Sequence, residues 1–183
     1  YFYNMHNEQH LKSSDTIKDI VIGMSDGLTV PFALAAGLSG ANAHSPIVVT
    51  AGIAEIVAGS IAMGLGGFLA GKTESDHYAS ELQREYDEVE RVPEQEKMEV
   101  KEVFAGFGLS EQLQYDVAEE MAKDKDKWVD FMMRYELGLE KPEANRASQS
   151  AITIGISYIV GGIIPLSPYF FIADSQKALY YSC

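Results

Sequence analysis

Charge is missing from two long stretches of this 183-residue chain, and that limits the folds open to it. From residue 27 to 71 the one charged side chain is Glu55, and from 147 to 173 there is none. Between them, residues 72–146 hold 21 of the 27 acidic and 11 of the 14 basic residues, a local net of −10 out of −13. Two apolar blocks flank one acidic block, and each has to be read by itself.

Residues 17–40, 46–71 and 147–173 each reach the ~20 residues that a helix needs to cross a ~30 Å hydrocarbon core. A chain this small cannot wrap three such helices in protein, so the pattern predicts transmembrane spans. Ala54, Ala58 and Ala62 recur every four residues, and Gly67 and Gly71 repeat that spacing, as in membrane helices that pack closely against a partner subunit or a neighbouring helix. The link 41–45 is short and has no Asp, Glu, Lys or Arg, so the first two spans form a hairpin.

Lys12 and Lys18 precede or open the first span, and eleven basic residues lie between Lys72 and Arg146. The positive-inside bias then puts the N-terminus and the acidic block on the cytosolic side. Residues 1–16 read as a polar, interfacial segment with Asn7, Ser13 and Ser14 as caps. Residues 174–183 read as the start of a further apolar helix, cut off.

Composition removes other classes. A chain this acidic lacks the basic face that neutralises phosphates, which argues against nucleic acid as a partner. One cysteine, Cys183, leaves no disulfide framework and no cysteine-based metal site. Gly-rich phosphate loops and Ser/His/Asp or Cys/His sets are absent, so nothing supports an enzyme of those kinds.

Within 72–146 the Glu, Lys, Met and Ala content is helical and alternation is missing. The second span is expected to run on as one helix to Arg91. Pro93 sits in the first turn of a second helix, to about 105, ended by Gly106 and Gly108. Ser110 caps a third, to about 122, and Asp126 a fourth, to Leu137, before Gly138 and Pro142. Glu74, Glu81, Glu85 and Glu88 form one stripe on a helix, Glu96 and Glu99 are one turn apart on the next, and Met132 and Met133 share a face with Glu136. Solvated surface explains acids at such spacings, and core packing explains the methionines. Against that, a stripe of like charge destabilises a lone helix. Carboxylates and thioethers converging from several helices supply ligands for a divalent cation, with the thioether favouring softer ions such as Fe²⁺. Glu74 and His77 also match the Glu-x-x-His spacing of di-iron bundles, but without the second copy such a centre needs.

Asp26 and Glu55 lie inside the spans. A carboxylate at bilayer depth costs about 2.5–3.5 kcal/mol on insertion scales, so it lines a pathway, binds an ion or holds helices together by hydrogen bonds. Met63 is two turns beyond Glu55, about 80° round the helix. Gly27 and Pro31 beside Asp26 predict a distorted helix whose carbonyls face an ion.

The runs IVIGMSDGLTVPFALAAGLSGA, AGIAEIVAGSIAMGLGGFLA and FMMRYELGLEKP closely resemble the vacuolar iron transporter family, from about His6 to about Tyr180. The resemblance implies an all-α membrane protein with an inserted cytosolic helical module, 72–146. It implies a homodimer with five membrane helices per subunit, of which three and the start of another are in this sequence. The implied activity is export of cytosolic Fe²⁺, and of Mn²⁺, across a vacuolar membrane in exchange for protons, with Co²⁺ and Zn²⁺ able to occupy the same sites. Residue by residue, Asp26, Glu55 and Met63 match the family's translocation path. Glu85, Glu88, Glu96, Glu99, Met132, Met133 and Glu136 match its cytosolic metal sites. Two rival readings are a membrane-tethered metal sensor or buffer, which has no use for Asp26 and Glu55, and a soluble di-iron oxidase, which would purify without detergent.

Overall fold

The computed structural model describes residues 12–182, all the regular structure of which is helical. The helices are α1 (Lys12–Gly40), α2 (Ser45–Arg91), α3 (Pro93–Gly106), α4 (Glu111–Met121), α5 (Lys125–Tyr135), α6 (Arg146–Leu166) and α7 (Ser175–Ser182), with a 3₁₀ turn at Ser167–Phe170. Most of the interfacial segment expected over 1–16 lies outside the described residues, and Lys12 onward belongs to α1. Three stretches are long and apolar enough to cross a membrane: Asp15–Gly40, the helix Ser45–Arg91, and Arg146–Phe170. The chain divides into two compact units, residues up to Gly71 together with Asn145 onward, and Lys72–Ala144.

In the first unit α6 lies against α1 and α2. It runs parallel to α1, with Gly23 beside Ile154 and Gly27 beside Tyr158. It runs antiparallel to α2, with Gly52 beside Leu166 and Gly71 beside Ala147. Glycines let these backbones approach because no side chain separates them. Alanines 54, 58 and 62 are instead exposed in the single chain. Ile61, Leu65, Leu69, Ile152 and Ile156 are also more than half exposed, an outer surface that suits lipid and not water.

One end of this unit is ionic. Arg146, the first residue of α6, donates from both terminal guanidinium nitrogens to Asp19 of α1, at 2.5 and 3.2 Å, and Asp19 is 4% exposed. The other end is held by uncharged groups. The hydroxyls of Ser39 and Tyr169 lie 3.1 Å apart, Gln176 donates to the Ser39 carbonyl, and Ser45 Oγ donates to the carbonyls of Ile172 and Ala173. The α1–α2 link turns on Asn42, whose φ of 58° is the left-handed region that asparagine tolerates.

The α-helix of the third apolar stretch, expected over 147–173, gives way to other structure before its end. α6 stops at Leu166 and tightens into the 3₁₀ turn that contains Pro168, which has no N–H to continue an α-helical ladder. α7 follows, its first N–H groups at Gln176 and Lys177 accepted by the Asp174 carboxylate.

The second unit packs the polar end of α2 with α3, α4 and α5 around Val89, Val100, Ala118, Trp128, Val129, Met132 and Met133. Pro93 opens α3 and Gly108, at φ 82°, follows its end. Ser110 stands at the N-cap of α4 in extended conformation, but its side chain makes no capping bond. The cap of α5 is Asp124, not Asp126. The Asp124 carboxylate accepts from the Lys127 N–H at 3.3 Å, while Asp126 accepts the Tyr86 hydroxyl at 2.9 Å. In a Lys-Asp-Lys-Asp run either aspartate can cap, and the Tyr86 contact takes the second.

Candidate metal centres

Three acids meet at the edge of the second unit's core. Glu85 precedes Val89 by one helical turn on α2, and Glu96 precedes Val100 by one turn on α3. Glu136, the C-cap of α5, follows Met132 by one turn. Each carboxylate therefore stands next to a core residue on its own helix, and the three are brought together when the core closes. One oxygen from each lies within 4.8 Å of those of the other two. Glu85 and Glu96 are 1% and 2% exposed, and each has a buried Oε2 without a hydrogen-bond partner. Glu136 is exposed as a residue, with its carboxylate on the same point.

Among the described residues, the charged neighbours that act on these carboxyls are other acids and Arg84. Burial, then the neighbouring Glu99, Glu85 and Glu88, push the Glu96 carboxyl up to about 7. Burial, then Glu99 and Glu85, push Glu136 up to about 7 as well. Glu85 is raised by burial and by Glu88, against the pull of Arg84. Arg84 lies 2.7 Å from Glu81, 3.4 Å from Glu88 and 3.7 Å from Glu85, and is half exposed. Buried carboxylates with vacant lone pairs and too few cations are oxygen ligands suited to a divalent ion.

The second group lies in the membrane unit. The Tyr158 hydroxyl, from α6, donates to Glu55 Oε1 at 2.5 Å, while Glu55 Oε2 is buried without a partner. The tyrosine fits because residue 59 is glycine: a Cβ there would fall 2.3 Å from the phenol oxygen. Residue 27 is glycine for a similar reason, since a Cβ there would fall 2.3 Å from the Tyr158 carbonyl oxygen. Asp26, half-buried next to it on α1, lies within electrostatic reach of the same hydroxyl. α1 is one continuous helix through Gly27 and Pro31, and Gly27 is a point of close approach to α6.

The sequence model of the VIT family matches residues 17–183. A vacuolar iron transporter of Centaurea cyanus is 55% identical over 179 residues, covering 98% of this chain and 73% of that protein. Vacuolar iron transporter 1 of Arabidopsis thaliana is 56% identical over 174 residues, covering 95% and 70%. The chain belongs to the VIT family. A more distant similarity is to Protein CCC1 of Saccharomyces cerevisiae, 42% identical over 170 residues, covering 91% of this chain and 52% of that protein. VIT-family membership and the apolar helices make this an all-α membrane protein, and the relatives are named as transporters, not as enzymes.

In this VIT-family chain the residues singled out from sequence fall into three sets. Glu85, Glu96 and Glu136 share one point, and Glu88 and Glu99 are half-buried neighbours within electrostatic reach of it. Met132 and Met133 are buried in the core cluster beside Val89 and Val100. Asp26 and Glu55 both relate to Tyr158, whereas Met63 is half-buried about 12 Å further along α2 by helical rise. Glu74 and His77 are exposed and outside the carboxylate group, with His77 3.8 Å from Glu81. Sequence reasoning missed Tyr158 and Arg84. A tyrosine in an apolar span, three residues before a Gly-Gly pair, was the available signal for the first. The arginine within a glutamate stripe was the signal for the second.

Proposed function

We propose that this chain moves Fe²⁺ out of the cytosol across a vacuolar membrane, with protons moving the other way through the same acids. The carboxylates of residues 72–146 collect the ion on the cytosolic side, with Glu85, Glu96 and Glu136 as the central ligands. Glu88, Glu99, Met132 and Met133 are the second part of that site. Asp26, Glu55 and Met63 form the path through the membrane. The protein works as a homodimer in which the exposed Ala54, Ala58 and Ala62 face the partner. Mn²⁺, Co²⁺ and Zn²⁺ suit the same ligands. The names of the relatives support iron as the cargo and the vacuole as its destination.

The observation that carries this reading is Glu55 Oε2, a buried carboxylate oxygen with no partner in the middle of an apolar span. An anchoring helix needs at most the Oε1 bond to Tyr158, which leaves unexplained a second buried oxygen on a group that costs about 2.5–3.5 kcal/mol to insert. The test is uptake of Fe²⁺ into proteoliposomes under an imposed proton gradient. Uptake should collapse in Asp26→Ala and Glu55→Gln, and unchanged flux in either variant removes that residue from the path.

A further inference from the structure

Glu55 has two oxygens in different situations, and the difference is imposed by a residue on another helix. Oε1 accepts the Tyr158 hydroxyl, and Oε2 is buried and unpartnered. The contact is built into the packing, because Tyr158 is 2% exposed and its phenol lies over Gly59, one turn from Glu55. The Tyr158 hydroxyl hydrogen is spent on Oε1.

We infer that Tyr158 is a positioning and specificity-determining residue, which biases Glu55 toward ligation through one oxygen and so disfavours calcium against smaller divalent ions. The inference rests on the transport reading above. A carboxylate can grip a cation through one oxygen or both. Ca²⁺ gathers six to eight oxygens and commonly takes carboxylates through both. With a phenol donating to Oε1, one lone pair of that oxygen is taken, and Oε2 is the oxygen with both open, which favours ligation through Oε2. Smaller transition-metal ions, which use fewer ligands at shorter distance, lose less by this. The tyrosine thereby selects through the number of oxygens it leaves fully open and touches no ion itself.

The test is Mn²⁺ uptake by proteoliposomes with Ca²⁺ as competitor, comparing wild type, Tyr158→Phe and Gly59→Ala. Phenylalanine keeps the ring and removes the donor. The added methyl at residue 59 keeps the hydroxyl but displaces it from Glu55. In both variants the ratio of the Ca²⁺ inhibition constant to the Mn²⁺ KM should fall about tenfold, the scale of one charge-assisted hydrogen bond. A residue that only fills space would leave that ratio where it is. An unchanged ratio in whichever variants elute as monodisperse protein and take up Mn²⁺ overturns the inference. Wild-type liposomes that take up no divalent ion overturn the transport reading instead.

Discussion

Glu96 of α3 and Glu136 at the end of α5 each bring a carboxylate oxygen to within 4.8 Å of the other, and both carboxyls are held up to about 7. The ordinary value for each is 4.5. Between those two values the folded unit binds protons that the unfolded chain has released. Stability without metal therefore falls as pH rises from about 5 to about 7, and levels off above that. A bound divalent ion does the proton's work, so metal affinity rises through the same window. Trp128 is the single tryptophan of the chain and belongs to this unit's core. Its fluorescence, followed on heating in detergent at several pH values with and without Mn²⁺, reads both slopes. A metal-free midpoint that climbs between pH 5 and pH 7 contradicts the arrangement.

Replacing one of these acids should separate folding from binding. Glu96→Gln keeps the shape and removes a buried charge, so the metal-free unit gains stability at about pH 8. The same change weakens Mn²⁺ binding by more than about tenfold, because an amide oxygen is a poor substitute for a carboxylate. Thermal midpoints and equilibrium dialysis on the same preparations give the two numbers. Movement in the same direction would mean that Glu96 is only a packing residue.

Arg84 competes with any bound cation for Glu85 and Glu88. Arg84→Gln should raise Mn²⁺ affinity about three- to tenfold at low salt, and less at high salt, because the side chain is half exposed. Titration at two ionic strengths checks both the sign and the screening. A weaker affinity would make Arg84 a scaffold for the site.

Breaking the pair at the start of α6 leaves a buried carboxylate without its cation. Arg146→Ala should cost about 3–5 kcal/mol, and adding Asp19→Asn should recover most of it. Thermal unfolding of the two single variants and the double in detergent gives the coupling. Purely additive losses would show that the ion pair contributes nothing beyond its parts.

Gly27 and Gly37 make a matched pair on α1. A methyl on Gly27 would fall 2.3 Å from a backbone oxygen of α6, whereas one on Gly37 meets nothing within 4 Å. Gly27→Ala should reduce the yield of monodisperse protein severely. Gly37→Ala should be neutral or stabilise by up to about 1 kcal/mol through helix propensity. Equal behaviour of the two would mean that α1 and α6 are not packed as described.

Spans show in a sequence when charge is scarce, since one glutamate in forty-five residues leaves few folds to consider. Glu85, Glu96 and Glu136 were legible as candidate ligands from helical spacing and the family resemblance, and the structure brings their carboxylates to one point. What stayed hidden depends on partners distant in the chain. Tyr158 meets Glu55 across 103 residues, and its letter in an apolar run looks like filler. The small-residue spacing suggested close packing, but the glycines meet α6 and the alanines face outward. Which small residue faces inward depends on helix rotation, and spacing alone leaves that open. Asp124 and Asp126 differed by a tyrosine hydroxyl from another helix.

The two ends of the α1–α6 pair are fastened by different chemistry. The Asp19–Arg146 end is a buried charge pair, which dissolved salt screens little. The far end, sewn by Ser39, Ser45, Tyr169 and Gln176, rests on hydrogen bonds between uncharged groups. Losing Arg146 would therefore loosen the pair at one end and leave the hydrogen bonds of the other in place.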